Sequence, residues 1–268
     1  MLTFTSAEIN LWLASLLWPL TRILGLIAAA PVFGNSGIPA SSKIGLGFML
    51  TLIMAPTITS VTAPDPMSFA GFLILLQQLV VGLAMGFSMR IVFAGVEMAG
   101  EIMGMTMGLG FATFFDPQSQ GHSSAISQFL ALVATMAFLA LNGHLMVLAA
   151  LAESFTSVPI AAAPLGGNGL HQLALWGASI FRSGVQLSLP IVAALLITNT
   201  ALGILTRAAP QLNLFGIGFP ITIGVGFMMI ALVLPYMAMP LERMIMEGVE
   251  MSKTLFTSIP TSIPTKNR

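Results

Sequence analysis

The chain has 268 residues, nine acidic and nine basic side chains, and no cysteine. Hydrophobic residues make up 56% and charged residues only 7%, against roughly 25% charged in soluble domains. A soluble surface cannot be built from so few charges, so lipid or neighbouring subunits must cover this chain. The balanced charge, with no basic patch, excludes a nucleic-acid partner. The missing cysteines exclude disulfides, thiolate metal sites and cysteine nucleophiles.

About six apolar segments reach the roughly 20 residues needed to cross hydrocarbon and are predicted as helices. The expected class is therefore all-α: hydrophobic hairpins with proline- and glycine-broken helices. The first segment, residues 8–31, carries Arg22 in its middle. No basic residue precedes it, so it does not read as a cleavable signal peptide. A Gly/Ser/Pro turn at 34–42 leads to the second segment, 44–58. Pro64-Asp65-Pro66 then breaks the chain, because proline cannot donate the helical hydrogen bond and constrains its predecessor. The third segment starts near Met67 and runs past Arg90 to Met105. The fourth spans 123–152, and a small-residue loop follows at 158–168. The fifth, 170–205, has an expected kink at Pro190. The sixth starts at Pro220 and contains Pro235 and Pro240. Residues 257–268 read as a mobile tail.

The charge code for topology fits six simple spans poorly. Arg243, Lys253, Lys266 and Arg268 favour a cytoplasmic C-terminus, which places Lys43 and Arg207 on the wrong side. Either the orientation is reversed, or these helices are not ordinary membrane spans.

Residues 100–116 read GEIMGMTMGLGFATFFD. Gly100, Gly104 and Gly108 stand four apart and would present a smooth stripe for close helix approach. Phe111, Phe114 and Phe115 follow, and Asp116-Pro117 stops the segment. An apolar, bulky loop tip could occlude a pore; a tight packing turn with buried phenylalanines fits the same residues. The 19 methionines, Met98, Met103, Met105 and Met107 among them, suit gap-filling in an irregular core. Glu97 and Glu101 share a helix face, and a carboxylate in an apolar segment needs a partner, a proton or water. Arg90 lies two turns away, so that partner is expected from another helix or subunit. Arg22 and Arg182 are expected to be buried and paired. His122, His144 and His171 have no ligand spacing, so no metal site is expected. No nucleophile elbow, phosphate loop or acid–base pair appears either.

Three stretches carry a family resemblance: residues 207–226 (RAAPQLNLFGIGFPITIGVG), 107–118 (MGLGFATFFDPQ) and 138–145 (FLALNGHL). Together, in this order, the sequence resembles the FliR family of flagellar type III export-gate subunits. The resemblance implies an integral subunit of the bacterial inner membrane and flagellar basal body, with no cofactor and no enzymatic activity. It implies packing with FliP-like and FliQ-like subunits into a helical assembly, beside FlhB-like and FlhA-like components, with unfolded flagellar proteins as cargo. Residues 1–169 would form a FliP-like part, with a plug loop at 106–122 comprising Gly110, Phe111, Phe114, Phe115, Asp116 and Pro117. Residues 170–256 would form a FliQ-like hairpin. Arg90, Glu97, Gly100, Glu101, Gly104, Gly108, Arg207, Pro210, Asn213, Phe215, Gly218, Phe219 and Pro220 are expected in helix or subunit packing and ion pairs. His144, in the matching Asn-Gly-His element, is expected to hydrogen-bond at a helix end. The virulence-injectisome counterpart shares these features. A secondary transporter for a small solute would also use broken helices and intramembrane charges, but no internal repeat is visible.

Overall fold

The computed structural model describes residues 6–58, 65–111, 124–160, 168–209 and 218–255. The helices are α1 (Ser6–Ala29), α2 (Ala40–Met54), α3 (Phe69–Thr106), α4 (Ala125–Ala140), α5 (Gly143–Ser157), α6 (Asn168–Trp176), α7 (Ser179–Ala208), α8 (Phe219–Val233) and α9 (Ala238–Thr254). No strand occurs among the described residues, and the fold is all-α.

The breaks fall at other places than the prolines alone indicate. The fourth expected segment is two helices, α4 and α5, bent by 65°. Asn142 makes the corner with φ 56, a left-handed conformation that asparagine tolerates better than most residues. The fifth segment breaks at Gly177 and Ala178, between α6 and α7, while α7 runs on through Pro190. Glycine is the weaker helix former at that break, and Pro190 lies on an exposed face of α7. The sixth tightens into a 3-10 turn at Leu234–Met237, around Pro235.

Among the described residues, four runs are long and apolar enough to cross a membrane: Trp12–Ala29, Phe69–Thr106, Gly169–Ala208 and Phe219–Thr254. The bent α4–α5 pair could supply a fifth, and α2, with 15 residues, is too short. This corrects the expectation of six. The runs also differ in cover. Within the chain, 67% of the apolar window in Phe69–Thr106 is buried, against 11% for Gly169–Ala208 and 17% for Phe219–Thr254. Helix α3 is therefore core, and the α7 and α8 helices leave most of their apolar surface uncovered.

The residues gather into two compact units, each assembled from separate stretches of chain. The first unit comprises residues 1–88, 145–175 and 249–268. In it, α1 and α3 meet backbone to backbone through glycines. A Cβ at Gly82 would run into the Arg22 carbonyl oxygen, and one at Gly25 would lie 3.0 Å from the Leu79 carbonyl oxygen. Such small-residue contacts bring apolar helices close enough for dense packing.

Arg22 is fully buried in this unit. Its Nε donates to Gln78 Oε1 at 2.8 Å. Its Nη1 donates to the Ser154 carbonyl at 2.7 Å and Oγ at 3.0 Å, and its Nη2 to the Val158 carbonyl at 2.8 Å. The guanidinium sits 4.3 Å from the centre of the Phe155 ring. Ser154 lies in the last turn of α5 and Val158 directly follows it, where the last carbonyls lack intrahelical donors and the helix dipole is negative. Arg22 is thus buried and partnered as expected, but by carbonyls and a ring rather than a carboxylate. The Nε1 of Trp18 and Nε2 of Gln78 are buried with no partner among the described residues. Arg182, expected to be buried, is instead exposed on α7. Lys253 and Glu153 form a 3.1 Å ion pair.

The second unit comprises residues 89–144 and 176–248. Here α3 is the hub. Phe93 meets Phe138 of α4 edge to face, with centroids 5.8 Å apart. Methionines of α3 and of the turn that follows it fill notches left by glycines on the surrounding helices: Met98 at Gly184 of α7, Met107 at Gly226 of α8 and Met89 at Gly248 of α9. A flexible thioether chain suits such irregular gaps.

Candidate functional site

The candidate site lies in the second unit, where α3 ends. Helix α3 ends at Thr106, and Gly108, with a φ of 86, takes the chain out of the right-handed helix, a turn that glycine makes without a Cβ clash. A 3-10 turn, Leu109–Phe111, follows. The next described residue, Ser124, lies back against α3. A Cβ at Gly100 would run into the Ser127 Cα, and one at Gly104 would lie 3.0 Å from the Ser124 Oγ. Gly100 and Gly104 thus give α4 its approach, whereas Gly108 ends the helix instead of extending the stripe.

Ser124 is the N-cap of α4, and its Oγ accepts the Ser127 N–H at 3.1 Å. Such a cap satisfies one of the free donors of a first helical turn. Ser127 Oγ donates to the Glu97 carbonyl at 2.9 Å. Glu101 Oε1 accepts the Ser124 N–H at 2.7 Å. The partner of Glu101 therefore comes from another helix of the same chain, and it is an amide rather than a cation. Glu97 is half-buried and Arg90 exposed, and neither forms an ion pair among the described residues.

On the upstream side, Thr222 Oγ1 of α8 donates to the Met107 carbonyl at 3.3 Å. Beside it lies a pocket of about 540 Å³. Its walls are residues 105–108, then Asn199, Leu202 and Gly203 of α7, then Gly218, Phe219 and Thr222 at the start of α8. The flanks of two motifs far apart in sequence therefore converge. Gly108 comes from one; Gly218 and Phe219 come from the other.

Of the remaining expected residues, Gly110 is exposed, with open space where a Cβ would stand. Phe111 closes the 3-10 turn. Phe114, Phe115, Asp116 and Pro117 lie outside the described residues, as do Pro210, Asn213 and Phe215. Arg207 is exposed in the last turn of α7, where a cation complements the helix dipole. Pro220 sits in the first turn of α8, where its missing N–H costs no hydrogen bond. His144 makes no hydrogen bond among the described residues, and its buried Nδ1 is unpartnered. It lies in the first turn of α5 and packs against the Phe138 ring instead, centroids 6.5 Å apart. The sequence reading missed Ser124, Ser127 and Thr222. Serine before an apolar run is a helix-start signal that could have found the first two. Among the described residues, no group of His, Asp and Glu could hold a metal ion.

Residues 13–248 match the family described as bacterial export proteins, family 1. The chain belongs to that family. It is 42% identical to the flagellar biosynthetic protein FliR of Pectobacterium carotovorum subsp. carotovorum, over 98% of this chain and all of that one. The Escherichia coli protein of the same name is 38% identical, over 97% of this chain and 99% of its own. The Bacillus subtilis FliR is 30% identical, over 90% and 94%. The residues matched by the family, 13–248, include those of the candidate site.

Proposed function

We propose that this chain is a structural, channel-forming subunit of the flagellar type III export gate in the bacterial inner membrane. Its relatives named as flagellar biosynthetic proteins, aligned over nearly the whole chain, carry the reading. They favour the flagellar machine over a virulence injectisome. In this reading the chain helps build the conduit for unfolded flagellar proteins. Residues 1–169 act as a FliP-like part and residues 170–256 as a FliQ-like hairpin. FliP-like and FliQ-like subunits cover α7 and α8, and FlhB-like and FlhA-like components lie nearby. The thin cover of those helices within the chain supports such neighbours.

The segment after Met105 closes the resting channel, with Gly110, Phe111, Phe114, Phe115, Asp116 and Pro117 as the plug. Support comes from the base of that segment. Its exit at Met107 and its return at Ser124 are both tied to α3 or α8 by hydrogen bonds, so a bulky apolar tip would stand on fixed ends. Deleting residues 110–115 should leave the assembled gate intact and make the membrane leaky to ions, read as dye-reported flux in vesicles. Lost assembly with no leak would turn the reading toward helix packing.

A further inference from the structure

We infer that Trp18 and Gln78, beside Arg22, form a buried site for a small inorganic anion of the halide class. In the first unit, Gly82 of α3 lies against the Arg22 backbone, and Gly86 against that of Leu26 and Ala30. The offset is constant, so α1 and α3 run parallel here. One turn before Arg22 and Gly82, the same register sets Trp18 level with Gln78. Arg22 reaches back along that turn, and its Nε donates to Gln78 Oε1 at 2.8 Å. Long helical side chains lean toward the N-terminus in this way. Trp18, Arg22 and Gln78 are all fully buried.

This corner has more donors than acceptors. The bond from Arg22 fixes the Gln78 amide, because a flipped amide would set donor against donor. Neither its Nε2 nor the Trp18 indole Nε1 has a partner among the described residues. Both groups can only donate, so a ligand between them must accept. Charge then selects the acceptor. Among the described residues no carboxylate stands within salt-bridge distance of Arg22, and Glu153, in the last turn of α5, is paired with Lys253. Carbonyl dipoles orient the guanidinium but leave its charge uncancelled. A buried cation without a counter-charge is costly in apolar surroundings. A water would accept both N–H groups but bring two hydrogens of its own. The nearby acceptors, Gln78 Oε1, Ser154 Oγ and the Ser154 and Val158 carbonyls, already serve Arg22. A halide accepts from several sides and donates nothing. Full burial of its donors limits the ligand to a small ion and slows its exchange.

The test is halide retention by the full chain, purified from the membrane with the subunits that accompany it. Protein prepared in sodium bromide is exchanged into gluconate of the same ionic strength, and retained bromide is measured by elemental mass spectrometry. The wild type should retain bromide equimolar with this chain. Its thermal midpoint should rise by about 2–4 °C for each tenfold increase in bromide above the dissociation constant. Gln78→Glu brings the missing charge into the site: one oxygen accepts from Arg22 and the other serves the Trp18 N–H. It should lose the equimolar bromide, and its midpoint should no longer respond to the halide. Trp18→Phe keeps a ring and removes the N–H, and should weaken bromide binding on the order of tenfold. Equal retention in the wild type and Gln78→Glu marks an adventitious ion only and overturns the inference. So does a wild type whose bromide content and midpoint ignore the halide, which leaves both donors to water. If Gln78→Glu fails to fold, Trp18→Phe decides, and unchanged halide dependence there overturns the inference too.

Discussion

Arg22 shows how a charge can live in an apolar helix without an acid. Four donor contacts and a ring hold it, and two of the acceptors are backbone carbonyls at the end of α5. Arg22→Ala should strip those carbonyls of their donor and lower stability by about 3 kcal/mol, read as a fall in the thermal midpoint of the assembled complex in detergent. Arg22→Lys should recover only part of the loss, because a single ammonium cannot reproduce the planar fork that reaches Gln78, Ser154 and Val158 together. The sequence made Arg22 visible as a lone charge in an apolar run. Its partners were invisible there, because a carbonyl acceptor leaves no mark in residue type. Arg182 looked the same in sequence and turned out exposed; only the three-dimensional neighbours tell the two apart. For Glu101, too, the need for a partner was legible and the partner, an amide across 23 positions, was not.

At the scale of helices, glycine decides how close α1, α3 and α4 come. Gly82 faces the Arg22 backbone, whereas Gly45 on α2 has open space around a Cβ. Gly82→Ala should therefore force the helices apart and cost about 1–3 kcal/mol. Gly45→Ala should be neutral or stabilise by up to about 1 kcal/mol through helix propensity. Thermal unfolding of both variants in one detergent would check the contrast. The existence of nearly every helix was legible, since long apolar runs can satisfy their backbone only as helices where water is absent. The breaks were less so. Proline is a conspicuous signal, yet α7 accepts Pro190, the sharp bend is made at Asn142, and Gly177 with Ala178 interrupts the helix without a comparable bend. A helix loses only local bonding at one proline, and its neighbours determine whether it bends there.

For the whole molecule, the uneven cover of the helices is the main physical fact. A chain that leaves the apolar faces of α7 and α8 open, with Phe181, Leu189, Ile197, Phe227 and Met228 all exposed, should not persist as a stable monomer. Native mass spectrometry of the tagged chain, co-expressed with its neighbouring genes, should give a discrete particle. It should hold one copy of this chain and several copies of two small hydrophobic partners. A stable monomer or homodimer would contradict the proposed role. The convergence of the 107–118 and 207–226 flanks on one pocket could not be read from sequence, because nothing in either stretch names the other.

The two compact units have a consequence for synthesis. The first draws on residues 1–88, waits through the whole second stretch, takes up residues 145–175, and closes only with the stretch that starts at Val249. Val249, Ser252 and Leu255 are all buried, so the last helix is a late keystone. When Gly248 has been translated, every stretch of the second unit has been made and the last stretch of the first has not. Arg22 gains its acceptors only once Val158 has been made, and even then the first unit still lacks the stretch that starts at Val249. Insertion and folding of this protein are therefore separated in time, and whatever receives the emerging helices must shelter an unfinished core.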